Sequence, residues 1–145
     1  MSAVSRASAR TTLASLIQAA LPTTTVYAYQ PDDVNGVSPV VCVTSAGSER
    51  GRLTLGDTRG KAQWRLEIHS FALYRDQARG AARAAAAENE IDATEAAIAT
   101  VILSNPTSAA WLALTTPEPT TVSEPVNLGG VIYLHEVIPV LVTGR

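Results

Sequence analysis

The side chains best suited to chemistry are two histidines and one cysteine. His69 and His135 each lie in a strand-like segment, with no His, Cys or Asp at the spacing of metal ligands. A zinc site needs three or four converging ligands, so we expect ordinary histidines at the surface or at an interface. Cys42 stands in an apolar run without the local signature of a nucleophile, which predicts a small buried hydrophobe.

A glycine-rich segment has part of the pattern of a phosphate-binding loop. Gly51 and Gly56 have the required gap, but Asp57, which precedes Thr58, stands where such a loop needs Lys. The lysine that would reach the phosphates is therefore missing. We predict no phosphate site in this segment.

Three carboxylates, those of Glu88, Glu90 and Asp92, lie close together in a helical segment. Residues two apart on a helix do not face each other, so these groups are not expected to work as an acid–base pair. Because no catalytic constellation remains, we predict that the protein is not an enzyme. We also predict no catalytic, cofactor-binding or metal-binding residues.

The same helical segment carries its charges in an unfavourable order. Arg75, Arg79 and Arg83 stand near its start, where the helix dipole prefers acids and each basic residue costs about a few tenths of a kcal/mol. Arg79 and Arg83 are a like-charged pair four residues apart, and no acid follows at that step. Either a solvated face or contact with the acids of a second copy explains this order. The candidate subunit interface consists of Arg79, Arg83, Glu88, Glu90, Asp92 and Glu95.

A second charged segment covers residues 47–61 and holds four glycines and four basic residues. It predicts either a long loop or an extended hairpin, and long loops in compact domains are usually functional or disordered. The segment is either solvated or in contact with DNA or another protein. Its basic residues are Arg50, Arg52, Arg59 and Lys61.

Length and composition indicate one globular domain over residues 1–145, with 1–7 loosely structured. With 46% hydrophobic and 17% charged residues the chain can bury a core. A net charge of −2 argues against nucleic-acid binding through overall charge. We find no apolar block typical of a signal peptide and none near the roughly 20 residues of a membrane span. We therefore expect a soluble protein that begins in a cytoplasm.

These residues must be positioned by alternating helical and extended segments. The order indicates an α+β domain with a mainly antiparallel sheet of four to five strands and both helices packed on one face. The predicted elements are a helix over 8–20, strands over 23–29, 40–46 and 62–74, a helix over 76–104, a short strand over 120–126 and a closing strand over 131–143.

Two strands have apolar patterns that need an explanation. In strand 62–74, Trp64 and Ile68 alternate with polar residues, but Phe71 and Leu73 fall on the polar side. This change predicts a bulge or a second apolar contact. The closing strand is apolar on both faces, which predicts that its own core covers one face and a partner the other.

Two further expectations concern the last third of the chain. Pro139 cannot donate a hydrogen bond, so an edge or a bulge is expected at that point of the closing strand. Trp111, Leu112 and Leu114 are expected to be buried.

The layout resembles the tail terminator, or tail-completion, proteins of long-tailed bacteriophages over about residues 8–143. The likeness lies in the order of elements: "TTVYAY" and "VVCVTS", then "WRLEIHSFA" leading into a long Ala-rich helix, then "GGVIYLHEVIPVLV". The last segment is the best single match. The resemblance implies an α+β fold and a homo-hexameric ring that caps the tail tube and stops its polymerisation.

The same resemblance implies where the ring acts and what it contacts. The partners would be the tail tube protein and the head–tail connector or stopper protein, with genome DNA passing through the lumen without sequence recognition and with no membrane. The protein would reside in the tail or neck of the virion, after assembly in the host cytoplasm, without a cofactor. Residues 47–61 would face the lumen or the tube, and the helix charges would meet across the ring. The alternatives are a connector or stopper subunit, or a small cytoplasmic binding domain that stays monomeric.

Overall fold

A computed structural model describes residues 5–31, 37–51, 61–74, 81–116, 124–128 and 130–144. These residues form two helices and six strands, which confirms the predicted α+β class. In chain order the elements are α1 (Arg6–Ala20), β1 (Thr25–Tyr27), β2 (Val40–Gly51), β3 (Lys61–Leu73), α2 (Ala81–Ser104), β4 (Ala113–Thr115), β5 (Glu124–Leu128) and β6 (Val131–Thr143).

The strands form one mixed sheet that is mainly antiparallel. Its order is β1-β2-β3-β6-β4, and β5 also pairs with β6. Only β1 and β2 run parallel among the described pairs. The sheet has one strand more than predicted, because β4 is a strand of three residues with no alternation long enough to recognise in the sequence.

Helix α1 begins two residues before the predicted start because a capping box forms there. The Ser5 hydroxyl accepts from the backbone N–H of Ser8 at 3.1 Å, and the Ser8 hydroxyl accepts from that of Ser5 at 3.0 Å. These bonds satisfy two donors that a helix start leaves unpaired. Ala9, Leu13 and Ile17 follow at helical spacing and are fully buried.

The main core contains one alternating set of residues from the three central strands. Successive residues of a strand point to opposite faces, so these members share a face of the sheet. Both helices contribute residues to the same cluster, while their predicted placement on one face stays a prediction. The cluster includes Leu13 and Ile17 of α1, Ile98 and Val101 of α2, Val41 and Val43 of β2, Leu66 and Ile68 of β3, and Val140 and Val142 of β6.

The opposite alternating set forms a smaller cluster at one end of the sheet. Val40, Cys42, Phe71 and Tyr133 are at most 4% exposed there. Strand β3 keeps its register with β6 through Phe71, so no bulge causes the change of pattern. The predicted second apolar contact is therefore the correct explanation.

On the side of β6 away from β3, β5 and β4 pair with different parts of the strand. Strand β5 pairs with β6 as far as His135, and β4 pairs with β6 from Leu141 onward. The Thr143 carbonyl accepts from Leu112 on the β4 side, so odd-numbered residues of β6 direct their backbone groups away from β3. Pro139, which has no N–H to donate, thus lies between the parts of β6 that pair with β5 and β4. No described strand pairs with β6 on that side at Pro139, which confirms the predicted edge.

The expectation that Leu112 is buried is wrong. Trp111 is fully buried and its indole donates to the Asn105 carbonyl at 3.0 Å, and Leu114 is 5% exposed. The chain bends at Leu112 before β4 begins, so strand alternation does not extend back to it, and it is 42% exposed.

Neither helix in the described part of the chain is both long enough and apolar enough to cross a membrane.

Candidate functional site

The structure brings the two histidines together on one face of the sheet. In the β3–β6 register His69 lies opposite Val137, and Phe71 lies opposite His135. His69 and His135 are therefore diagonal neighbours on the two strands, and Nδ1 of His69 lies 2.8 Å from Nε2 of His135. This contact could not be predicted from the sequence, because only the pairing register shows that residues 66 positions apart are neighbours.

The two imidazole rings meet edge to edge. Their centroids are 5.1 Å apart and their planes differ by 5°, and with a 2.8 Å N···N contact this requires nearly coplanar rings whose nitrogens face each other. One nitrogen must carry the hydrogen and the other must accept it. The contact is therefore a single N–H···N hydrogen bond.

The donor of this bond can be assigned from the position of Glu67. Its Oε1 lies 3.5 Å from Nε2 of His69, and an ionised carboxylate only accepts. In the neutral pair Nε2 of His69 therefore carries the hydrogen and Nδ1 accepts. Nε2 of His135 is then the donor, so both rings are in the Nε2–H tautomer.

Aromatic and apolar neighbours hold the pair in place. The Phe71 ring stacks on His135 with centroids 4.7 Å apart and planes within 6°. Tyr133 meets the edge of Phe71 at 6.2 Å. Cys42 is the register partner of His69 on β2, and burial raises the pKa of its thiol to about 12. Cys42 is thus a buried, protonated thiol, as the sequence predicted.

This environment keeps both histidines neutral at pH 7. Burial lowers the pKa of His135 to about 4, with a further contribution from His69 and opposition from Glu67. Burial also lowers the pKa of His69, while the Glu67 carboxylate opposes that change. The pKa of an ordinary histidine is near 6.5, so either ring becomes charged only at a lower pH than an ordinary histidine does.

The cluster is suited to holding protons and not to holding a metal ion. The two facing nitrogens are directed at each other by their hydrogen bond and do not converge on a third point. No group of three or more His, Cys, Asp or Glu among the described residues could hold a metal ion. The Cys42 thiol stays protonated, so it supplies no thiolate nucleophile to the histidines.

The candidate interface on α2 is only partly described. Glu88 and Asp92 are exposed and Glu95 is half-buried. Arg79 lies outside the described residues, and Arg83 lies in α2 but its side chain is not described. The predicted pairing of these arginines with the acids of a neighbouring subunit stays a prediction.

Glu90 has a role that the sequence did not indicate. It is half-buried, and its carboxylate accepts a hydrogen bond from the Ser38 hydroxyl. The Ser38 oxygen in turn accepts from the backbone N–H of Leu73 at 2.9 Å. One oxygen of this predicted interface residue is therefore engaged within its own chain, where it connects α2 to the segment before β2 and, through Ser38, to β3.

The basic segment is a hairpin where it is described. Arg50 pairs with Ala62 and Gly51 with Lys61, so β2 and β3 extend well into the predicted loop. Arg52 and Arg59 lie outside the described residues. The extended hairpin is therefore the correct alternative for residues 47–51 and for Lys61.

The paired end of the hairpin and the start of α2 lie at opposite ends of the sheet. The paired part of the hairpin ends at Gly51 and Lys61, whereas β3 ends at Leu73, beside Tyr133. Ala87 of α2 packs with Ala72 at this second end. The start of α2 is therefore a sheet length away from the hairpin.

Large apolar side chains remain exposed at both ends. Leu103, near the end of α2, is 81% exposed, and Ile132, near the start of β6, is 44% exposed. Val137, Pro139 and Leu141 of β6 are half-buried on the other face of the sheet from Ile132, the face that carries the histidines. The chain thus leaves apolar surface available for a partner.

Comparison with known proteins adds no family assignment. No protein-family model matches the chain, and no curated protein sequence matches it.

Proposed function

We propose that the protein is a ring-forming structural subunit of a phage virion that caps the tail tube and joins it to the head-side connector. The observation that carries this proposal is β6, the closing strand on which the resemblance is strongest. It is paired with three other strands, yet its side chains Val137, Pro139 and Leu141 remain half-buried. A second protein covering this face would remove further apolar area from water at about 25 cal/mol per Å².

The distribution of charge supports a head-to-tail contact between copies. Different surfaces of one subunit meet in a heterologous contact, and such contacts close into a ring when the rotation allows. The basic hairpin and the start of α2 lie at opposite ends of the sheet, while Glu88 and Asp92 are exposed on α2. Charge pairs between subunits would then set the register of the ring more than its affinity.

The proposed roles of the charged residues follow from this arrangement. Residues of α2, from Arg79 to Glu95, would form the contact between subunits. The hairpin end, with Arg50, Arg52, Arg59 and Lys61, would face the tube or the lumen. Genome DNA would pass through that lumen without sequence recognition, because phosphate contacts carry no sequence information.

The direct test is the mass in solution, measured by size-exclusion chromatography with light scattering over a range of concentrations. The proposal expects a closed species of about six subunits, present throughout or increasing with concentration. Isolated tail tubes, imaged with and without the protein, would then show whether it binds one end and stops elongation. A strict monomer that also leaves tube ends bare would contradict the proposal and favour the small binding domain.

A further inference from the structure

By its position in the sheet, each of the paired histidines has a glutamate as a neighbour. Glu67 approaches Nε2 of His69 at 3.5 Å along β3. On the other side Glu124 of β5 is the register partner of His135. Directly opposed residues of antiparallel strands share a face, with Cβ atoms about 4.5–5.5 Å apart. Four titratable side chains thus form one row across β3, β6 and β5, which we name the acid–imidazole row: Glu67, His69, His135 and Glu124.

We propose that the acid–imidazole row is a proton-operated switch with two positions. In the neutral position the two rings are bonded to each other. In the acid position they part, and His69 pairs with Glu67 while His135 pairs with Glu124. This inference goes beyond the proposed function and does not depend on the chain forming a ring.

The geometry explains why the second proton is the one that operates the switch. A first proton can enter without breaking the contact, because a charged ring still donates to the neutral nitrogen of its neighbour. A second proton puts N–H groups on both facing nitrogens, which lie only 2.8 Å apart. Two donors and two positive charges then face each other, so the rings must separate.

The groups around the row favour separation toward the carboxylates. From β2 the facing residue is Cys42, whose thiol stays neutral. From β6 the neighbours Tyr133 and Val137 bring no charge in acid. Along β3 the nearest cationic residue on this face is Arg65, which lies beyond Glu67 as seen from the histidines. With both carboxylates ionised, their two negative charges balance those of two imidazolium rings, so the parted row then has no net charge.

Burial sets the direction of the change. The joined rings are half-buried, and burial disfavours the charged form of an imidazole. Glu124 is exposed, so a charged His135 that turns toward it gains both a counter-ion and water. The neutral position therefore belongs to the packed sheet and the acid position to a more solvated one.

The test is an NMR titration of the two imidazoles in the full chain from pH 8 to pH 3, with circular dichroism at each pH to confirm that the fold persists. We expect two coupled steps, both below the usual histidine range. Removing one ring with His69→Gln should raise the pKa of His135, because it removes the second positive charge. Glu124→Gln should lower the pKa of His135 by about half a unit, the size of an exposed ion pair. Glu88→Gln on α2 is the matched control and should change neither histidine.

Two outcomes would overturn the switch. Independent titration of both rings near pH 6.5, unaffected by His69→Gln, would show that they are not joined. An unchanged His135 titration in Glu124→Gln would show that the rings do not part toward the outer carboxylates.

A second measurement keeps the proposal testable if the chain unfolds before the titration is complete. At pH 7.5 the ¹⁵N shifts should show the Nε2–H tautomer for both rings, with Nδ1 of His69 accepting a hydrogen bond. An Nδ1–H tautomer at His69 would contradict the joined position itself.

Discussion

At Gly144 the backbone lies directly against the indole of Trp64. A Cβ atom added at this glycine would lie 2.5 Å from Cη2 of Trp64, well inside van der Waals contact. The indole is 2% exposed and belongs to the main core, so it cannot swing into solvent. This position requires glycine because of space, and nothing in the local sequence indicates that requirement.

We therefore expect Gly144→Ala to lower the free energy of unfolding by about 1–3 kcal/mol, the usual cost of overpacking a core. Urea denaturation would measure it. Trp64→Phe removes the clashing atoms, so the same substitution should cost less in that background. An equal cost in both backgrounds would show that the clash is not the cause.

The acid–imidazole row also predicts how the free energy of unfolding depends on pH. The pKa of His135 is about 4 in the folded chain, below the ordinary 6.5 of an unfolded one, so the unfolded chain binds more protons between these values. The stabilisation is fully present above about pH 6.5 and is lost as the pH falls through 4. Because the ring is only half-buried, we expect a loss of about 1–2 kcal/mol from this residue.

Chemical denaturation at pH 7 and pH 4.5 would check this expectation. The difference in stability between the two pH values should be smaller in His135→Gln than in the original chain. Glu88→Gln should keep the original difference. A His135→Gln chain with an unchanged pH dependence would contradict the lowered pKa.

At the scale of elements, long periodic segments could be predicted and short or register-dependent features could not. The bounds of β6 and the end of α2 at Ser104 agree with the sequence expectations. Strand β4 is too short for its alternation to be read, and β2 continues past Gly47 through a register shift that the sequence left open. The contact between His69 and His135 required the β3–β6 register, which no local pattern specifies.

Helix α1 depends on its N-terminal cap. Replacing Ser5 with Ala removes the acceptor for the Ser8 N–H, and we expect a loss of about 1 kcal/mol in unfolding free energy. Ser5→Asp keeps a capping oxygen and should be nearly neutral. Urea denaturation of the two variants would separate the cap from other effects, and equal losses would argue against a capping role.

At the scale of the whole molecule, the proposed ring makes a charge-swap prediction. Arg79→Glu together with Arg83→Glu should shift assembly toward monomers, because like charges would then meet at the contact. Adding Glu88→Arg and Asp92→Arg should restore the larger species. Arg6→Glu, an exposed change on α1, is the control and should leave the mass unaltered. Light scattering would report all three, and unaltered assembly in the double reversal would exclude these arginines from the interface.

The topology also has a consequence for synthesis on the ribosome. Strand β6 lies between β3 and the pair β4 and β5, yet it follows all of them in the chain. Val131 is translated 58 residues after Leu73, which takes about 3–12 s at typical rates. During that interval β3 has one unpaired edge, and Leu66 and Ile68 lack the residues of β6 that later lie beside them in the sheet. The nascent chain therefore passes through a period in which it needs protection from aggregation, before the central strand emerges and completes the sheet.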